Sequence, residues 1–471
     1  MNTHSTPSQA TAHGPSSSQA GEKLIRILAF TLILSSMSAT MFNIVLSRIS
    51  EQFELSFSQV SWVSAIYSLI YAIGSVLYGK LADSYRLKDL MTFGLVLFFA
   101  GSMVGLAAQE YWMVLLGRIL QAAGASAIPA AAMIIPVRYF PAEKRGRALG
   151  ISATGLALGG ALGPVVSALI AGSLHWRWLF CVPLLVLLTL PSYRKYLGDE
   201  KGPGGKIDWL GGALLAATVA LLLLAVTQSS WPLAGGSLLA FLLFALRIRT
   251  AAVPFVQARL FRNKRYSAGL TMAVVIMGTG YTLPFLTPQL LSDVHRLNPG
   301  WIGLAMVPAA AVSAMLGRRG GKLADAKGNS YLFHLASFSL LLCFALLSTL
   351  AGASAWLVAA ILILGNVGQM FMQISLSNAI SQTLPKDQAG VGMGLMTLLN
   401  FLAGAVSTGV YGRIVDQGAA SGWNPLNSTP SANVYSNLYL TIAAVHLVVL
   451  LFFRAGFREK RAAVAAADVR S

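Results

Sequence analysis

The chain is expected to fold as an all-α polytopic membrane protein: two six-helix halves with two further helices inserted between them, 14 transmembrane helices in all. Three observations carry that expectation. Of the 471 residues 56% are hydrophobic and 11% charged, whereas a soluble domain carries roughly 25% charged residues. The apolar residues gather in runs near the length of about 20 that crosses a bilayer core. The pentapeptide Gly-Lys-Leu-Ala-Asp occurs twice, at Gly79–Asp83 and Gly321–Asp325, each copy closing an apolar run and 242 residues from the other. A long-period repeat at matched places in the hydropathy pattern marks a duplicated architecture.

The expected spans are 27–47, 60–79, 90–108, 112–135, 148–172, 177–193, 208–228, 232–247, 267–290, 301–317, 331–350, 355–378, 391–412 and 437–454. Residues 1–26 read as a disordered cytoplasmic tail, its first 21 residues polar and lacking the apolar core of a cleavable signal peptide. The first span then serves as an uncleaved membrane entry signal. The N-terminal half takes 27–193, linkers and two inserted helices 194–266, the C-terminal half 267–454, and a second cytoplasmic tail 455–471. The repeat sets this division. The first pentapeptide joins spans 2 and 3 and the second joins spans 10 and 11. A second echo, Pro141–Gly146 after span 4 and Pro385–Gly390 after span 12, has an offset of 244 residues.

Net charge is +18. On a soluble protein this would point to nucleic acid, but here the charges sit in short loops. With the N-terminus inside, 29 Lys and Arg fall in inner segments, and only Arg48, Arg177, Arg296 and Arg413 fall outside. The basic-residue bias therefore places both termini in the cytoplasm, in a cell (inner or plasma) membrane. Eight of nine tryptophans fall near outer span ends, Trp209 being the exception, which suits indole's preference for the headgroup boundary. Cys181 and Cys343 lie in apolar runs, so neither a disulfide framework nor a metal site is expected.

Several polar residues stand out against this background. Asp83, near Lys80, Arg86 and Lys88, and Asp325, near Arg319, Lys322 and Lys327, are candidates for ion pairs that form in one conformation and break in another. A solvated turn is the alternative. Arg118 lies deep in span 4 with Gln121 one turn on; it is a candidate for substrate anchoring, proton coupling or a structural role. Span 5 carries Gly155, Gly159 and Gly163 at four-residue spacing followed by Pro164, a face that admits close helix approach. Asn366, Gln369 and Gln373 share one face of span 12. With Asn43, Tyr281, Gln289 and Asn400 they are candidates to line a central site, interhelical hydrogen bonding being the alternative. His446 reads as a packing residue, and Gly204-Gly205-Lys206-Ile207 lacks the spacing and hydroxyl of a phosphate loop. With no nucleotide motif and no catalytic constellation, no cofactor is expected. Energy would come from a proton or other ion gradient, or from the substrate's own.

These residues resemble the major facilitator superfamily. Gly79-Lys-Leu-Ala-Asp83 with Lys88 is similar to its loop 2–3 motif, with Arg86 where glycine is usual. Arg118-Ile-Leu-Gln121-Ala-Ala-Gly124 is similar to its helix 4 motif, with Ala122 replacing a glycine. Gly159 to Gly163-Pro164 resembles the helix 5 motif associated with antiporters. Fourteen spans, and Asp208-Trp209 opening span 7, resemble the larger drug:proton antiporters. Ser61-Trp62-Val63, His175-Trp176, Asp293-Val294-His295 and Tyr435-Ser436-Asn437-Leu438 are similar to the tetracycline efflux proteins among them. Where those carry glutamates in spans 5 and 13, this chain has Gly160 and Gly404. The resemblance implies a major facilitator fold and a monomeric, proton-coupled exporter of drug-like amphipathic compounds, tetracycline-like antibiotics included, with Asp83, Asp208 and Asp325 as acids that titrate or gate. A facilitator or uptake symporter for a small metabolite is the rival expectation. The partners expected are substrate, protons and membrane lipid, with no nucleic acid.

Overall fold

The computed structural model describes residues 15–55, 57–199, 208–228, 230–297, 299–385 and 388–468. Among the described residues, fourteen helical spans are long and apolar enough to cross a membrane. In chain order they are α1 Gln19–Met41, α2 Trp62–Ala82, α3 Leu87–Leu106, α4 Tyr111–Tyr139, α5 Arg145–Ala171, α6 Trp176–Tyr196, α7 Trp209–Val226, α8 Trp231–Thr250, α9 Lys264–Asp293, α10 Trp301–Lys327, α11 Asn329–Leu350, α12 Ala355–Ser381, α13 Ala389–Gln417 and α14 Pro430–Leu451. The all-α membrane fold expected from the sequence is the fold observed.

Helix continues beyond the expected spans at both ends of the chain. The segment 1–26, expected to be a disordered tail, is helical from Pro15, and Leu24 and Ile25 are fully buried. Tyr193 and Thr31, hydrogen-bonded at 2.9 Å, tie this first helix to α6. The last helix runs from Asn433 to Asp468 and so includes most of the expected tail 455–471. The Gly204–Ile207 segment lies outside the described residues.

Proline sets where two spans bend. α4 breaks at Ser126, between helices Tyr111–Ala125 and Ala127–Tyr139, and α9 breaks at Tyr281, between Lys264–Gly280 and Thr282–Asp293. Pro129 and Pro284 each sit three residues past the break. Lacking an N–H, each leaves the carbonyl four residues back, Ala125 or Gly280, without its helical partner.

Helices α1–α6 pack as one half and α9–α14 as the other. They meet along α5 against α10 and along α2 against α13, two contacts exchanged by the internal repeat. The inserted helices α7 and α8 form a hairpin outside both halves, α7 lying against α2 and α13. Its groove is wholly apolar, lined by Ile73, Val76, Leu77, Gly212, Ala216, Val219 and Leu398 among others.

Asp208 pins this hairpin. Its carboxylate accepts from Arg247 Nε at 3.1 Å and Nη2 at 3.0 Å across the hairpin, and from the Gly211 amide at 3.1 Å. Sequence resemblance made it a titrating or gating candidate, but the fold gives it a fixed cation and a helix start. Burial pushes this carboxyl up, yet the Arg247 and Gly211 hydrogen bonds outweigh burial and hold it below its ordinary value. A depressed folded value means stability that is present above the unfolded value of about 3.9 and lost as pH falls through the folded one. Asp208→Asn is therefore expected to lower the melting temperature by an amount that is constant from pH 5 to 8 and shrinks below about pH 4. Thermal unfolding of the purified variant across that range checks it.

Candidate substrate site and inter-half seal

The end of the bundle nearest both termini is closed by the two repeated motifs, each bound to the other half. Asp325, ending the second pentapeptide, accepts from the backbone amides of Gly146 at 2.9 Å and Arg147 at 2.8 Å. These amides open α5, where unsatisfied N–H groups and the helix dipole favour negative charge. Asp83 takes the equivalent place at the start of α13, where a Cβ added to Gly390 would lie 2.6 Å from its Oδ1. Each pentapeptide thus meets the opposite half's copy of the second echo, Pro141–Gly146 or Pro385–Gly390. Lys386 and Asp387 of that copy lie outside the described residues.

Bare backbone makes this contact possible. A Cβ at Gly79 would stand 2.4 Å from the Gly390 carbonyl oxygen, and one at Gly321 would stand 2.4 Å from that of Gly146. Gly150 against Gly317, and Gly394 against Ser75 and Val76, extend the two seams. The expected ion pairs within each pentapeptide cluster are replaced by other partners. Lys88 and Arg86 turn to Asp199, at 3.1 and 3.9 Å, an acid that sequence reasoning missed. Lys80 is largely buried at the end of α2, while Lys322 is exposed. A carboxylate on two amides satisfies donors that have no other partner, whereas exposed lysines keep their hydration.

Just beyond the seal lies a cavity of about 330 Å³ between the halves. Along each helix the seal residues come nearer the termini and the cavity residues follow: 146–150 then 152–156 on α5, 390–394 then 397–401 on α13. Tyr281, Asn366, Gln369, Gln373 and Asn400 all line it, so the structure brings five of the sequence candidates together. Tyr71, Ser152, Ser377, Thr397 and Phe401 join them, as do both helix-bending prolines, Pro129 and Pro284. Proline in the middle of two spans was the available sequence signal for part of this wall. Two glycines shape it. The Gln369 amide packs onto Gly280, where a Cβ would come within 2.1 Å of Nε2, and the Tyr281 ring covers Gly404, whose Cβ would fall 2.4 Å from it.

Arg118, Gln121, Asn43 and Gln289 are not among the residues that line this cavity. Arg118 is fully buried inside the N-terminal half. It donates through Nε to the Val63 carbonyl and through Nη1 to the Ser38 carbonyl, both at 3.0 Å, and through Nη1 to Gln121 Oε1 at 3.1 Å. The rings of Phe42 and Tyr67 lie 4.4 and 4.0 Å from its guanidinium carbon. Gln121 donates onward to Ser102 at 2.8 Å. Carbonyl dipoles and ring faces thus take the place of a carboxylate and brace α1, α2, α3 and α4 together. Tyr67 stacks on Tyr71 of the cavity wall, 5.8 Å between ring centres, and Tyr71 meets Phe401 of the other half edge-on at 5.3 Å. Asn43 is exposed and accepts from Ser64 at 2.6 Å. The span 5 glycines face α1, with Cβ positions 2.5 Å from Ala29 O for Gly155, 2.4 Å from Ile33 O for Gly159 and 2.0 Å from Thr40 Oγ1 for Gly163. Pro164 continues the same helix. That face holds the N-terminal half together, and it is α5's residues 146–154 that meet the other half.

The Major Facilitator Superfamily profile matches residues 28–408. The chain belongs to that family, whose members are transporters. Among its relatives, a riboflavin transporter of Clostridioides difficile (strain 630) is 26% identical over 443 residues, covering 91% of this chain and 96% of that protein. Multidrug resistance protein 3 of Bacillus subtilis (strain 168) is 27% identical over 315 residues, 64% of this chain and 61% of that one. The solved human organic anion transporter MFSD10 has a TM-score of 0.66 at 16% identity, over 90% of this chain and 99% of that one, a likeness of fold.

Two outcomes follow from this geometry. Asp325→Ala leaves two helix-start amides unpaired, which costs about 2 kcal/mol. It is expected to shift the molecule toward a form open at the termini face, read as a longer spin-label distance between exposed positions Tyr85 and Lys327. An unchanged distance distribution would deny the seal its role. Gly404→Glu is expected to lower the melting temperature through a clash with Tyr281 costing about 1–3 kcal/mol, and Tyr281→Ala in the same chain is expected to restore most of it.

Proposed function

We propose that the protein is a secondary exporter of small amphipathic, drug-like compounds, driven by proton exchange and working by alternating access between its two halves. The observation that carries this reading is the cavity of mixed amide, aromatic and aliphatic walls, closed toward the termini face by two glycine seams, with Asp325 capping α5 and Asp83 packed at the start of α13. The basic-residue bias supports a cytoplasmic termini face in a cell (inner or plasma) membrane. The structure then corresponds to the stage closed to the cytoplasm. The transporter would act as a monomer and use no cofactor or nucleotide. The multidrug relative supports export, and tetracycline-like antibiotics belong among the compounds to be tested.

Asp83 and Asp325 are the candidates for coupling. Protonating either one removes the charge that sits at a helix start, so it loosens the seal. A proton arriving from the outer side would thereby favour opening toward the cytoplasm. An exchanger needs that direction, releasing cargo outward and returning with a proton. Arg118 acts in this reading as a brace behind the wall.

Uptake of a small metabolite is the second reading. It is favoured by the riboflavin transporter, whose similarity spans nearly both chains. Accumulation of tetracyclines and other compounds in an efflux-deficient host separates the two. Export predicts lower accumulation on expression, reversed by an uncoupler and abolished by Asp83→Asn. Uptake predicts higher accumulation on expression.

A further inference from the structure

We propose that the central cavity selects uncharged ring compounds carrying at least two N–H or O–H donors and excludes ionised ones, with Gln369 and Asn400 setting the selection. This rests on reading the cavity as the transport site.

The wall supports it in two independent ways. None of its lining residues is ionised at neutral pH; its polar members are amides, hydroxyls and phenols. An ion entering such a space gives up its hydration and meets no counter-charge, which makes its burial costly. The charges nearby are committed elsewhere. Asp325 is held by the α5 amides, and Arg118 lies behind Tyr67 and Tyr71.

The second observation is a group of four unpartnered buried polar atoms on this wall. Gln369 Oε1, Asn400 Oδ1, Ser152 Oγ and Ser377 Oγ make no hydrogen bond, and both serines are more than nine-tenths buried. Such atoms are rare in folded proteins because each carries an unrecovered desolvation cost. Two are acceptors and two are hydroxyls that accept as readily as they donate. A ligand that brings N–H or O–H donors offers these atoms the partners that the fold does not. The Gln369 amide packs against Gly280 with a 3.6 Å contact from Nε2 to the Met277 sulfur, while its Oε1 is buried in the wall without a hydrogen bond. Tyr71, Tyr281 and Phe401 supply ring faces for the apolar body.

The test uses the purified full-length chain and measures binding by thermal stabilisation with matched probes. Chloramphenicol and prednisolone are uncharged and carry hydroxyls; their hemisuccinates keep the skeleton and add a carboxylate. Tetraphenylphosphonium is a permanent cation. The expected result is stabilisation by an uncharged member, its hemisuccinate and the phosphonium needing at least roughly a hundredfold higher concentration. Gln369→Leu and Asn400→Leu should each weaken the uncharged probe about tenfold. Gln369→Glu and Asn400→Asp should gain phosphonium binding by a similar factor. Size-exclusion profiles confirm that each variant is folded, and the two pairs of substitutions serve as independent checks. Equal binding of a hemisuccinate or of phosphonium to the unaltered protein overturns the selection rule and leaves the transport reading standing. So does a folded acidic variant that gains no cation. If no probe of either kind binds, the cavity is not the transport site and both readings fall.

Discussion

The two halves touch through naked backbone, and the rest of the architecture depends on that contact. At Gly79 against Gly390 and at Gly321 against Gly146, the space for a single β-carbon is already taken by a carbonyl oxygen of the other half. Contact this close presents the first amides of α5 and α13 to a carboxylate arriving from the opposite domain. The aspartate caps need the glycines, and the cavity needs both, because the seal forms its floor.

The duplication explains why the arrangement occurs twice. A segment ending in an acid and a segment beginning a helix were each copied, and each copy lies against its counterpart in the other half. Asp325 accepts from the Gly146 and Arg147 amides, and Asp83 packs beside Gly390 at the corresponding place in the other seam. A symmetrical seal has a mechanical property that a single bridge lacks: losing one side leaves the other as a hinge.

Much of this was legible in the sequence. Hydropathy is local, so the 14 spans and the inserted pair could be read from runs of apolar residues. The polar face of Asn366, Gln369 and Gln373 was legible for the same reason, since helical spacing alone places them together. For Arg118 the sequence left substrate anchoring, coupling and a structural role open, because depth in a membrane says nothing about which side of a helix a residue occupies; its side chain turns into its own half. The pairing of the two repeats was hidden because it depends on which helix ends meet across the interface. The lysines beside each aspartate suggested partners by proximity in sequence, and backbone amides more than 170 residues away proved the closer fit for Asp325.

The inserted hairpin lies across the seam that any opening must move, because α7 touches α2 of one half and α13 of the other. Its own two helices are locked by Arg247 and Asp208, while the groove between α7 and the halves is lined by aliphatic and aromatic side chains and glycine. Apolar surfaces attract without direction, so they favour no single register. They slip past one another as a greased bearing does. The hairpin can therefore remain a rigid shutter against the lipid while the helices behind it change their spacing.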